Sequence, residues 1–140
     1  MLKPSSFVKW LFSRPDRPLT VGEIVGWWEM RRLAFNLVFF GYGLICFIVF
    51  LAALSSSGHL APGEDAVEPL AIPFTVLASN VLYTLGWIVE TIARVVFRTL
   101  TPRLGPVLFG FGLGFSMLVL SVPATIWTAV RLLQLAGVMA

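Results

Sequence analysis

The stretch Leu33–Leu54, LAFNLVFFGYGLICFIVFLAAL, runs for 22 residues without a charge. As an α-helix rising 1.5 Å per residue it would measure about 33 Å, which matches the roughly 30 Å hydrocarbon core of a bilayer. Backbone N–H and C=O groups in lipid find no water, so a lone spanning segment must bond them internally and be helical. We read this stretch as a membrane-spanning helix.

Composition supports that reading across all 140 residues, a length that suits one domain. Hydrophobic residues make up 58% and charged residues 12%, against about 25% charged in an average soluble domain. Mean hydropathy is +0.90. So few charges could not cover a water-facing surface. Two more apolar blocks follow, at 70–93 and 106–130, joined by a connection with Thr101-Pro102 and Gly105-Pro106 as turn signals. Pro73 falls near the start of its block, where a helix tolerates it. The expected fold is an all-α membrane protein with three transmembrane helices, about 33–54, 70–93 and 106–130. An amphipathic juxtamembrane helix precedes them, so that 1–32 forms an N-terminal segment and 33–140 the membrane domain.

Upstream of the first span, Thr20-Val21-Gly22-Glu23 fits a capping box, with Leu19 and Ile24 placed as a hydrophobic staple. This predicts a helix over 21–32, either continuous with the span or hinged near Gly26. Trp27 and Trp28 have the chemistry of an interfacial belt, with rings at headgroup depth and N–H groups facing water. The short aromatic, basic run Phe7–Phe12 suits a segment lying on headgroups, and a disordered tail fits it equally well.

Charge sets the expected orientation. Six Lys or Arg precede the first span, none lies in 55–69, three lie in 94–105 and one follows the third span. The positive-inside rule places 1–32 and 94–105 in the cytoplasm, and 55–69 and the carboxyl terminus outside. The net charge of +3 is carried beside apolar blocks, which fits anionic headgroups rather than nucleic acid.

Several chemistries find no residues to carry them. The single cysteine, Cys46, has no internal disulfide partner and reads as a small buried hydrophobe. The single histidine, His59, cannot build a two-histidine haem site, and no Cys/His cluster has metal-ligand spacing. His59 stands with Glu64, Asp65 and Glu68 in a loop that reads as solvated. No nucleophile–base set and no phosphate-cradling glycine loop occurs. No cofactor or metal is expected, and no enzymatic activity.

Polar residues inside apolar blocks are the best functional pointers, because a polar group in lipid is costly. Asn80, Tyr83, Trp87, Glu90 and Arg94 fall within an arc of about 80° on the second span. Glu90 and Arg94 have the order and spacing of a helical ion pair. Glu29, Arg32 and Asn36 lie within about 60° on the first helix. The two helices are antiparallel, so these faces would meet at one depth. The expectation is a buried network joining Glu29, Arg32, Asn36, Glu90 and Arg94, with Asn80 bonding across helices further in. One reading makes this glue that sets helix register. Another makes it a proton or ion path, or a headgroup pocket. A proton relay would want a second deep carboxylate, and Glu90 is the one acid inside a span.

The third span carries Gly110, Gly112, Gly114 and Ser116 at small-xxx-small spacing, a pattern that lets another helix approach closely. Its partner would be the first span, through Gly41 and Gly43, or a neighbouring protomer. Pro123 is expected to kink this helix, with Ser121 or Thr125 bonding the freed carbonyl.

Two segments, Trp27–Asn36 (WWEMRRLAFN) and Asn80–Glu90 (NVLYTLGWIVE), resemble segments of small uncharacterised bacterial multi-pass membrane proteins. That resemblance carries no known activity and implies that the two segments belong together. The expected function is helix packing in a bacterial inner membrane, as an accessory, scaffolding or self-associating subunit. Its partners would be the lipid bilayer and either itself or another membrane protein, with no nucleic acid. The alternatives are a protomer of an oligomeric transporter or channel using Asn80 and Glu90, and a membrane-bound lipid-acting enzyme.

Overall fold

The computed structural model describes residues 5–56, 70–97 and 103–138. The loop bearing His59, Glu64, Asp65 and Glu68 lies outside the described residues. Those described form four α-helices and no strand: α1 (Ser6–Phe12), α2 (Val21–Ser55), α3 (Ala71–Val95) and α4 (Leu104–Leu135). The last three are each long and apolar enough to cross a membrane. The chain is an all-α, multi-pass membrane protein.

The start of α2 follows from its sequence. The Thr20 side chain accepts from the Glu23 N–H at 3.3 Å, and Glu23 Oε2 accepts from the Thr20 N–H at 2.8 Å, satisfying two first-turn donors that a helix leaves unpaired. Arg17 clasps the same carboxylate from outside, at 3.1 and 2.5 Å. Leu19 and Ile24 are both buried in the core. No hinge forms at Gly26: the juxtamembrane helix and the span are one helix of 35 residues. At about 52 Å it is longer than the hydrocarbon core is thick, so it projects from the membrane.

The third long helix outruns its expected bounds, from Leu104 to Leu135, and passes through Pro123 unbroken. Pro123 lacks the N–H that would bond Val119, but neither nearby hydroxyl goes there. Ser121 Oγ donates to the Leu118 carbonyl and Thr125 Oγ1 to that of Ser121.

The core sits at one end of the bundle, where α2 and α4 start and α3 finishes. Leu11, Trp27, Trp28, Phe35, Tyr83 and Phe109 are buried together there. Phe109 on α4 is the hub, meeting Trp27 edge-on at 6.0 Å and Tyr83 edge-on at 6.2 Å. Such pairs add about 0.5–1.5 kcal/mol beyond the area they bury. The other half is looser, with a groove of about 530 Å³ between Phe39, Gly43, Ile72, Val119 and Pro123.

Trp27 and Trp28 are therefore core residues and not an interfacial belt. They are 5% and 1% exposed, and protein atoms receive both indole N–H groups. Trp27 Nε1 donates to the Ser13 carbonyl and Trp28 Nε1 to Glu90 Oε2, each at 2.8 Å.

Candidate functional site

A short helix and one turn of chain bring Arg14 to the packed end. α1 is capped by Ser5, whose hydroxyl accepts from the Val8 N–H. It folds back onto α4, where Phe12 meets Phe109 edge-on at 5.7 Å. Seven residues are too few to hold a helix alone in water, so tertiary contacts must hold it.

Arg31 supplies them. Its guanidinium donates to the carbonyls of Leu11 (2.8 Å), Trp10 (2.8 Å), Ser13 (3.0 Å) and Trp27 (3.1 Å). The first three lie at the end of α1, where the helix dipole favours a cation; the Trp10 carbonyl also accepts from the Ser13 N–H and hydroxyl. The same group stands 4.1 Å from the Trp27 ring centroid and 4.9 Å from that of Trp10. Arg31 is only 3% exposed; stacking and the four bonds compensate for its lost hydration.

α1 fixed in this way carries Arg14 inward to Glu90. Arg14 Nη1 lies 2.5 Å from Glu90 Oε1, with the two side chains 3% and 2% exposed. The other carboxylate oxygen receives the Trp28 indole N–H. Tyr83, one helical turn back on α3 from Trp87, donates its hydroxyl to the Trp28 backbone carbonyl. One carboxylate thus ties together the α1–α2 turn, α2 and α3.

Two glycines leave room for this arrangement. A Cβ at Gly86 would lie 2.6 Å from the Trp28 ring, so the indole packs directly on the α3 backbone. A Cβ at Gly105, in the first turn of α4, would collide with Arg14 Nη1 and lie 2.6 Å from Glu90 Oε2.

The single expected network is thus divided: Thr84 links the Glu29–Arg32 pair to Asn80 by donating its hydroxyl to the Asn80 carbonyl at 2.9 Å, and Glu90 stands apart. Glu29 and Arg32 form a bidentate pair at 2.7 and 2.8 Å on the α2 surface, and Arg32 also reaches Thr84 Oγ1 at 3.3 Å. Asn36 and Asn80 exchange amide hydrogen bonds at 3.1 and 3.4 Å. Glu90 joins neither group, because Arg14 and Trp28 occupy it. Arg94 is half-buried and forms no ion pair with Glu90 among the described residues. Trp87 packs against the core, and its indole N–H is buried without a hydrogen-bond partner among the described residues. The polar ladder along α3 therefore divides, with its two ends facing different neighbours.

The glycines of α4 also differ from the expected helix seam. A Cβ at Gly110 would lie 3.3 Å from the Phe12 ring, a side-chain contact with α1. Gly112 and Gly114 face nothing within 4 Å, and Ser116 is buried, its hydroxyl returning to the Gly112 carbonyl. On α2, a Cβ at Gly43 would lie 3.5 Å from the Leu120 side chain, while one at Gly41 would meet nothing within 4 Å.

Sequence reading missed Arg14 and Arg31, counting both only as cytoplasmic charge. Comparison with known proteins adds no family to this description: no protein-family model, no curated protein and no solved structure matches the chain.

Proposed function

We propose that this chain is a multi-pass protein of a bacterial inner membrane that works by helix packing, as an accessory, scaffolding or self-associating subunit. The observation that carries this reading is how its polar groups are used. Glu90 is held by Arg14 and Trp28, Asn80 by Asn36, and Arg32 reaches Thr84, each contact binding one element of the fold to another. By contrast, large apolar side chains on α4 such as Phe111 and Leu118 stand outward at 74% and 64% exposure. Gly112 and Gly114 lie uncovered on the same helix. Where lipid already solvates apolar surface, association depends on close backbone approach, and these glycines offer it.

The excess of Lys and Arg before α2 supports an amino terminus in the cytoplasm. The packed end would then be the cytoplasmic one, with α1 lying at the inner membrane surface.

Crosslinking in native membranes tests the proposal, using Gly114→Cys with a thiol crosslinker and mild-detergent extraction. A discrete adduct, either a dimer or a complex with one other membrane protein, is the expected product. A chain extracted only as a monomer and giving no adduct would contradict it. Proton uptake or conductance in liposomes that disappears in a folded Glu90→Gln variant would favour the transporter reading instead.

A further inference from the structure

A cleft of about 470 Å³ opens between the α1–α2 turn and the first turn of α4, with Arg14, Asp16, Arg103, Phe12 and Val107 among its lining residues. We propose that it binds the headgroup of a zwitterionic phospholipid, taking the phosphate on Arg14, Arg103 and the α4 amino terminus and the ammonium on Asp16.

One wall of the cleft holds an unsatisfied cation. Arg14 is 3% exposed at its side chain, yet none of its three guanidinium nitrogens has a hydrogen-bond partner among the described residues. Its Nη1 makes the ion pair with Glu90, whose second oxygen is occupied by Trp28. Buried donors are bonded as a rule, and a guanidinium suits two oxygens of one phosphate. The collision expected from a Cβ at Gly105 places this group at the first turn of α4. That turn is itself uncapped: Arg103 stands at the N-cap with no side-chain cap bond. The Leu104 and Gly105 N–H groups therefore lack intrahelical acceptors, and a helix start favours an anion.

Charge then selects the class of anion. Glu90 already compensates Arg14, leaving one cation, Arg103, and one anion, Asp16, on the cleft wall. Both are exposed, and neither has an ion pair among the described residues. One positive and one negative charge match a phosphate bearing an ammonium arm better than a free phosphate dianion or a phosphoglycerol. The apolar wall supports a lipid over a soluble phosphate: Phe12 and Val107 are 39% and 63% exposed beside the charges. An acyl chain leaving the headgroup can lie against them.

Native mass spectrometry of the delipidated full chain in detergent tests this. The probes are dioleoyl phosphatidylethanolamine, dioleoyl phosphatidylglycerol and inorganic phosphate. The ethanolamine lipid should be retained in preference to the glycerol lipid. Arg103→Gln should lower its occupancy about fivefold, the share of one cation at a headgroup. Asp16→Asn should erase the preference between the two lipids. Both residues are exposed, and an unchanged melting temperature shows that the variants remain folded. Equal retention of both lipids by wild type and variants would overturn the proposal, leaving a water-filled cleft and non-specific lipid. Inorganic phosphate binding as tightly as the ethanolamine lipid would overturn the lipid assignment.

Discussion

Arg14 and Glu90 are 76 positions apart in the chain (90 − 14), and their charged groups meet at 2.5 Å inside the protein. Desolvating two such groups is expensive, and their attraction repays it only when the remaining donors and acceptors are also satisfied. Here the carboxylate is satisfied by Trp28, while the guanidinium has the ion-pair contact and no hydrogen bond from its nitrogens among the described residues. The pair therefore serves register more than raw stability: it fixes where the turn after α1 meets α3 and the start of α4.

The docking of α1 depends on Arg31. Lys9–Trp10 is the one bond among residues 1–30 where a Lys or Arg is not followed by Pro, so trypsin reports directly on that helix. Bonds to a charged group contribute about 1.5–3 kcal/mol each. Arg31→Gln should accelerate cleavage after Lys9 at least tenfold. Arg31→Lys should behave similarly, because an ammonium cannot reproduce the planar fork. Cleavage no faster than in wild type would show that α1 is held by other contacts.

Glycine substitutions should separate tight positions from open ones. Gly86→Ala and Gly105→Ala force contacts with Trp28 and with the Arg14–Glu90 pair, and overpacking of this kind costs about 1–3 kcal/mol. Gly112→Ala meets nothing and should be neutral or stabilising by up to about 1 kcal/mol from helix propensity. Thermal unfolding in one detergent ranks all three, and a loss at Gly112 equal to that at Gly86 would contradict the packing described.

The Asn36–Asn80 pair predicts a small but measurable coupling. Interhelical polar contacts in membranes average about 0.6 kcal/mol by double-mutant cycles. Asn36→Ala and Asn80→Ala should therefore be sub-additive by about that amount in unfolding free energy. Strict additivity would mean that α2 and α3 do not meet at this depth.

The three spans were legible because hydropathy is averaged over some twenty residues and tolerates local error. The capping box was legible because its signal lies within four residues. Trp27 and Trp28 misled because an indole suits an interface and a core alike, and the choice depends on distant acceptors, here Ser13 and Glu90. Arg31 did carry a signal. At 100° per residue it falls inside the arc of about 120° that holds Ile24, Trp27, Trp28, Ala34 and Phe35, whereas Glu29, Arg32 and Asn36 lie on another side. Arg14 carried none: it sits in a turn without periodicity, and its partner belongs to another helix. The close approaches at Gly86 and Gly105 escaped a search for paired glycines because each accommodates a side chain and not a second backbone.

Arg14 reaches Glu90 and closes the end of the bundle. A double-mutant cycle on thermal unfolding in lipid nanodiscs tests it most directly, using Arg14→Met, Glu90→Leu and the combination. Leaving one buried charge without its partner costs about 3–5 kcal/mol, whereas replacing both by apolar residues is often neutral. Each single substitution should therefore lower stability sharply, with the double variant recovering most of the loss. Additive losses in the double variant would show that the two groups do not meet.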